Sequence, residues 1–206
     1  MNKENWSTTN IPDLTGKVII VTGGNSGLGY ESVKAFAEKG ADVILTSRSV
    51  EKGEAAKKAI GKVKGNIIVL PLDLMDFSSI RSFTEKFQQK YKRLDVLLNN
   101  AGIMTTPYFL TKDGLEAQMG TNHFGHFALT GLLFGLIKNT PKSRIVNVSS
   151  MAHKQGKMDF SNLLFENGKG YSPIKSYGRS KLANLLFTYE LQRKMEASGI
   201  KSIAVA

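Results

Sequence analysis

Tyr177 and Lys181 stand four residues apart in a stretch of helical period, so both project from one face of a helix. A phenol, with a pKa of about 10, exchanges protons poorly at neutral pH; a neighbouring ammonium corrects this by favouring the phenolate. The pair is a candidate proton donor and acceptor. The same spacing recurs at Tyr30 and Lys34. That copy lies directly after Gly29 with no serine-ending strand before it, and it reads as ordinary helix surface. Tyr177 follows a run that ends in Ser149 and Ser150 and then a long loop, which brings its helix to the carboxyl edge of a sheet.

A second chemical feature is the turn Thr22-Gly23-Gly24-Asn25-Ser26-Gly27-Leu28-Gly29, between an apolar run and a helical segment. Glycines let the backbone turn tightly and approach an anion, and the helix N-terminus stabilises its charge. ATP and GTP hydrolysis lose their support because Tyr30 and Glu31 stand where a P-loop needs Lys and then Ser or Thr. Strict G-x-G-x-x-G is absent too, since the glycines fall at 23, 27 and 29, but the position still suits a dinucleotide. About twenty residues past such a turn, an acid normally accepts from the ribose 2′-hydroxyl. Here Ser47 takes that place and Arg48 follows, so a 2′-phosphate meets a guanidinium, with the Ser47 and Ser49 hydroxyls beside it. NADP(H) is therefore expected over NAD(H). The bland reading of Arg48 is a surface residue at a strand end.

The elements that position these residues alternate. Apolar runs over Val18–Thr22, Val43–Thr46, Ile67–Leu70, Leu94–Leu98, Arg144–Val148 and Ser202–Ala206 predict strands. Between them, helical period predicts helices over Gly27–Lys39, Glu51–Ile60, Ser78–Lys90, Leu115–Lys138 and Ile174–Ala197. Strands apolar on consecutive residues are covered on both faces, and right-handed crossovers then give a single α/β domain with a doubly wound, Rossmann-like parallel sheet. Residues 151–176 are too long for an ordinary connection and form a candidate substrate loop. Within it Met158, Phe160, Leu163, Leu164, Phe165 and Tyr171 form either an apolar pocket wall or the packing that holds the loop down.

Thr-Gly-x-x-x-Gly-x-Gly at 22–29 resembles the short-chain dehydrogenase/reductase family. So do Asp73 after the third strand, Asn99-Asn100-Ala101-Gly102 after the fourth, Asn122 in the next helix, Ser149-Ser150 ending the fifth strand and Tyr177-x-x-x-Lys181. The set is in order and covers nearly the whole chain. Asn122-His123-Phe124-Gly125-His126-Phe127 and residues 180–188 further resemble the retinol-dehydrogenase-like and WW-domain-oxidoreductase-like branch. The resemblance implies a hydride-transfer oxidoreductase acting on a carbonyl or alcohol. Tyr177 would be the general acid/base and Lys181 would hold the nicotinamide ribose. Ser150, rather than Ser149, would bind the reacting oxygen, and Asn122 would hold a water that links Lys181 to solvent. The cofactor would be held by Gly23, Asn25, Ser26, Gly27, Leu28, Gly29, Ser47, Arg48, Asp73, Leu74, Asn100, Ala101, Gly102, Tyr177 and Lys181. Family members continue past the sixth strand into a substrate-covering segment, so the functional unit is expected to extend beyond Ala206.

Composition narrows the alternatives. The 206 residues include no cysteine, which excludes disulfide frameworks, thiolate metal sites and cysteine nucleophiles. His123, His126 and His153 form no metal set with nearby carboxylates and read as packing or surface residues. No G-x-S-x-G elbow surrounds either serine, which removes a hydrolase triad. A formal charge of +11 invites an anionic partner, but the lysines fall on helix surface and loops without aromatic interleaving, so no nucleic-acid partner is expected. The polar start Met1 to Trp6 and the lack of about 18 consecutive apolar residues predict no membrane anchor and a cytoplasmic protein. Leu182, Leu185, Leu186 and Tyr189 make the last helix apolar on more than one face, so a homodimer or homotetramer is expected. The alternative function is a catalytically silent dinucleotide-binding regulator or scaffold.

Overall fold

A computed structural model describes residues 6–206; the polar stretch Met1–Asn5 lies outside the described residues. Val18–Thr22 (β1) is buried along its whole length because helices cover both faces of the sheet. It is followed by α1 (Gly27–Glu38), β2 (Asp42–Ser47), α2 (Val50–Ile60), β3 (Asn66–Pro71), α3 (Phe77–Lys90) and β4 (Val96–Asn99). After a long loop come α4 (Ala117–Met119), a π turn (Gly120–Phe124), α5 (Gly125–Asn139), β5 (Arg144–Asn147), α6 (Pro173–Ala197) and β6 (Ile203–Val205). All five strand pairings are parallel and the spatial order is β3-β2-β1-β4-β5-β6, the doubly wound arrangement the sequence predicts.

Alternation along the strands divides the core in two. Ile20, Ile44, Leu97 and Ile145 face α3, α5 and α6 through Phe83, Phe87, Leu129, Leu133 and Met195. Ile19, Val21, Val43, Leu45 and Leu98 face α1 and α2 through Val33, Ala37 and Ala56. The bottom of the sheet is tied by Asp95, whose buried carboxylate accepts from the Val18 N–H at 3.0 Å and from Arg93 and Lys17. With that edge fixed, the opposite, carboxyl edge is where the loops are free to gather around a ligand.

Three expectations need correction. The helix expected over Leu115–Lys138 is broken into α4, the π turn and α5. Its glycines show why: a Cβ on Gly120 would collide with Thr111, and one on Gly125 would meet Leu74 O at 2.5 Å. The segment therefore bends to fit between two loops. The long loop ends at Ser172 rather than Ser176, because Pro173 suits the first helical turn. Tyr30 is half-buried against the α1/α2 side of the core, so that copy of the motif is packing rather than bare surface. Among the described residues no helix is long and apolar enough to cross a membrane. On α6, Leu186 and Tyr189 are exposed while Leu182 and Leu185 are half-buried.

Candidate active site

A cavity of about 300 Å³ opens at the carboxyl edge of the sheet. It is lined by Gly23, Asn25 and Ser26 of the glycine-rich turn, by Ser47 and Arg48 at the end of β2, and by Leu72, Asp73, Leu74 and Met75 after β3. Asn100, Ala101, Gly102, Ile103 and Thr121 complete it. Residues far apart in the chain thus converge here because the four loops leave the central strands side by side. Of the residues expected to hold the cofactor, Gly27, Leu28, Gly29, Tyr177 and Lys181 do not line the cavity. Gly27 starts α1 with φ 55°, the Leu28 side chain is 74% exposed, and Gly29 is buried against the Gly23 carbonyl, which a Cβ would strike. Ser26 is the N-cap of α1, yet its hydroxyl makes no cap hydrogen bond. The positive end of that helix therefore faces the turn without a side-chain oxygen bonded to it.

The end of β2 divides its three polar residues. Ser47 is buried in the cavity wall and Arg48 is exposed at its rim. Ser49, expected beside a 2′-phosphate, is instead the N-cap of α2: its Oγ accepts from Lys52 N at 3.1 Å and donates to Glu51 at 2.7 Å. The Asp73 carboxylate accepts from Met75 N at 2.9 Å, which shapes the floor.

Lys181 is only 4% exposed, and its Nζ donates to the Val148 carbonyl at 3.0 Å. Burial pushes its pKa down to about 8. Nζ lies 5.7 Å from the centre of the half-buried Tyr177 ring. A Cβ on Gly102 would sit 3.7 Å from Nζ and 3.1 Å from Asn122 Oδ1, so the lysine, the asparagine and the end of β4 meet at one point. Asn122 is fixed by three hydrogen bonds. It accepts from Ile103 N at 2.8 Å, and its Nδ2 donates to Ile103 O and to Ser180 Oγ, both at 2.9 Å. Ser180 then donates to the Tyr177 carbonyl at 2.8 Å, which joins the π turn to the tyrosine. The two serines after β5 separate: Ser149 donates to the Lys181 carbonyl at 2.9 Å, while Ser150 Oγ accepts from Ala152 N at 3.2 Å. The Ser150 carbonyl accepts from His153 Nδ1 at 2.6 Å.

Several residues here have tertiary roles that no spacing in the sequence announces. Thr22, at the end of β1, accepts from Asn100 N and Ala101 N at 2.8 and 2.9 Å and so holds the glycine-rich turn against β4. Glu116 caps α4 and accepts from Ser176 at 2.6 Å, fixing the start of α6. Gln118 holds Thr105 N and donates to Tyr171 Oη and the Pro173 carbonyl. Arg179 lies inside the Tyr-x-x-x-Lys motif yet turns to the loop, donating to the carbonyls of Lys157, Asn162 and Leu163 with its guanidinium 4.1 Å from the Phe165 ring centre. The loop's apolar residues therefore split. Phe165 is buried as packing and Tyr171 ties the loop to Thr106 O, whereas Phe160 is 80% exposed. Met104, Phe109, Leu110, Met151 and Ile174 are also exposed on loops and the helix end at this edge. Among the described residues no three His, Cys, Asp or Glu side chains form a group able to hold a metal ion.

Residues 17–163 match the family described as short chain dehydrogenase. Human retinol dehydrogenase 11 is 48% identical over 199 residues, which cover 96% of this chain and 62% of that protein. Mouse retinol dehydrogenase 12 is 44% identical over 200 residues with the same coverage of 96% and 62%. The chain thus spans about 62% of the length of these curated relatives. Among solved structures, an uncharacterized protein from Mycobacterium Paratuberculosis superposes with a TM-score of 0.87 at 45% identity, covering 97% of this chain and 70% of that one. Pseudomonas aeruginosa RhlG, solved as an NADP active-site complex, has a TM-score of 0.73 at 24% identity over 94% of this chain and 71% of that one, a likeness of fold.

Proposed function

This chain belongs to the short-chain dehydrogenase family, and from that premise we propose that it is an NADP-dependent oxidoreductase acting on a carbonyl or alcohol group of a lipophilic substrate. The observation that carries the reading is the meeting of buried Lys181 and Asn122 at Gly102, which lines the same cavity as Arg48, with the Tyr177 ring centre 5.7 Å from Lys181 Nζ.

The donor set fits a dinucleotide. The cradle is glycine where a Cβ on Gly23 would press on Ala101 at 3.0 Å, the α1 N-terminus is free of a side-chain cap, and the buried Thr121 Oγ1 lacks a partner in the cavity wall. Gly23 to Gly29 would hold the pyrophosphate, Ser47 and Arg48 the 2′-phosphate, Asp73 and Leu74 the adenine end, and Asn100 to Gly102 with Tyr177 and Lys181 the nicotinamide end. The bound cofactor supplies hydride transfer. Tyr177 Oη gives its proton to the carbonyl oxygen in reduction and takes the hydroxyl proton in oxidation. Lys181, still mainly protonated at neutral pH, favours the phenolate and so lowers the cost of that transfer. Ser150 donates to the reacting oxygen and stabilises charge developing there. Asn122, held rigidly by Ile103 and Ser180, would hold a water that links Lys181 to solvent. The exposed apolar residues on the segments that follow β4 and β5, Met104, Met151 and Phe160 among them, favour a lipophilic substrate.

The test is a panel of carbonyls and alcohols of graded chain length, followed by NADPH absorbance. Turnover that rises with apolar chain length supports the reading. Cofactor binding with no turnover across the panel would favour the silent regulator, to which the intact proton-transfer set is superfluous.

A further inference from the structure

His126, on α5, is 3% exposed, and its two ring nitrogens join separate parts of the molecule. Nδ1 lies 3.0 Å from the carbonyl oxygen of Asn122. A carbonyl only accepts, so Nδ1 carries the hydrogen. Nε2 lies 2.9 Å from Thr22 Oγ1. That hydroxyl already accepts from Asn100 N and Ala101 N, which occupies both of its lone pairs. Its one hydrogen can only be donated, and Nε2 is closer than the alternative acceptor, Leu98 O at 3.3 Å. Nε2 is thus the bare, accepting nitrogen. A second proton there would point at an oxygen with no lone pair left. Burial lowers the imidazole pKa to about 4, against the bond to the Asn122 carbonyl, which raises it, and the titratable neighbours Lys181 and His123 lower it further.

We propose that His126 is a positioning residue: as its Nδ1–H tautomer it ties the Asn122 carbonyl to the Thr22 hydroxyl, so that the cofactor-facing turn and the Asn122–Ser180–Tyr177 chain keep one geometry. The role in the reaction rests on the function proposed above; the tautomer does not. Thr22 ends β1 and holds Asn100 and Ala101 in the cavity wall, while the Asn122 side chain reaches Tyr177 through Ser180. An apolar ring would fill the same volume, but it would leave the Thr22 hydrogen with the more distant acceptor and release the Asn122 carbonyl.

The experiment uses the whole chain with 15N-labelled histidine. In the cofactor-free protein one ring should show a protonated Nδ1 and a bare Nε2 and stay neutral from pH 8 down to pH 5, and added NADPH should shift that Nε2 resonance. An Nε2–H tautomer, a second proton gained near pH 6.5, or an Nε2 that ignores NADPH overturns the proposal. In parallel, His126→Phe should raise the NADPH Kd about tenfold, on the scale of one hydrogen bond lost, and Thr22→Val, which also takes the acceptor from Asn100 N and Ala101 N, should raise it further. The double variant should lose no more than Thr22→Val alone, because the link to His126 goes with the hydroxyl. A loss about tenfold beyond that of Thr22→Val overturns the coupling. If either variant fails to fold, the resonances of the unaltered protein still decide. If the unaltered protein neither binds NADPH nor turns over, the proposed function fails while the tautomer is read independently.

Discussion

The wall built from Thr22, Asn100 and Ala101 and the wall built from residues 156–172 hold their shapes by different means. In the first, backbones touch directly: glycines sit where a Cβ would strike a neighbour, and a single buried hydroxyl serves two N–H groups and one imidazole. In the second, Gly156 at its start meets the Gly178 backbone, but beyond it most of the ties run through long side chains. Arg179 holds three loop carbonyls and stacks on Phe165, whose φ of 54° places it in the left-handed region, and Tyr171 reaches across to Thr106. Shape set by backbone contact leaves little freedom, whereas shape set by a few side chains can be altered by one substitution. The first wall suits a ligand that does not vary and the second suits one that does.

The comparison breaks most sharply at the junction of the two walls, where Tyr177 stands. Tyr177→Phe should lower turnover by at least about a thousandfold, within the range of general acid–base catalysis, with NADPH Kd nearly unchanged. Tyr30→Phe should cost little in the same assay, because Tyr30 only packs on the α1/α2 side. Equal losses would mean that the wrong copy of the motif has been given the chemistry.

Acid and base sharpen the view of the first wall. The unfolded His126 ring takes a proton near 6.5 and the folded ring only near 4, so stability falls as pH drops through that window, by on the order of 3 kcal/mol. Lys181 has the same sign at the other end. Its folded pKa of about 8 lies below the unfolded 10.5, so stability rises between those values as the buried ammonium gives up its charge. Urea midpoints measured against pH should show both steps, with His126→Phe removing the lower and Lys181→Met the upper. A flat profile across pH 4–6.5 would mean that the ring is not held neutral.

Arg48→Ala should weaken NADP binding by roughly 1.5–3 kcal/mol and leave NAD nearly unchanged, as titration calorimetry would show. Equal losses, or a preference of the unaltered protein for NAD, would remove Arg48 from the phosphate. For the second wall, Arg179→Lys keeps a charge but not the planar fork that reaches three carbonyls. It should raise substrate KM about fivefold with kcat within about twofold, and speed tryptic cleavage after Lys157 and Lys169, on the scale of 1 kcal/mol. An unchanged loop would show that Phe165 and Tyr171 hold it without the arginine.

What the sequence discloses follows the same division. The strands, the doubly wound parallel sheet and the glycine-rich turn are legible because periodicity and backbone freedom are local properties. Tyr177 and Lys181 are legible because helix geometry turns a spacing into a shared face. The direction of Ser150 against Ser149 is not, since it depends on the Lys181 carbonyl arriving from 32 residues away. Ser49 looks like a phosphate ligand until α2 begins at the next residue and takes its hydroxyl as a cap. His126 and Arg179 act through tertiary partners that no spacing announces. Their only local signal is polarity in places that end up buried, a histidine in an apolar helix and an arginine inside a helical motif.

The π turn at Gly120–Phe124 carries a consequence for how this segment can change over time. Each residue of a helix advances it by about 100°, so the wider turn sets the angle between Glu116 and Gln118 on one side and the core-facing Leu129 and Leu133 on the other. Substitution at Thr121 or His123 leaves that angle intact. Removal of one residue would let the stretch relax to an unbroken α-helix and swing Asn122 away from Ile103 and Ser180 while α5 stayed packed on the sheet. The segment is therefore constrained in length more tightly than in composition, and insertions and deletions should be tolerated in the 156–172 loop long before they are tolerated here.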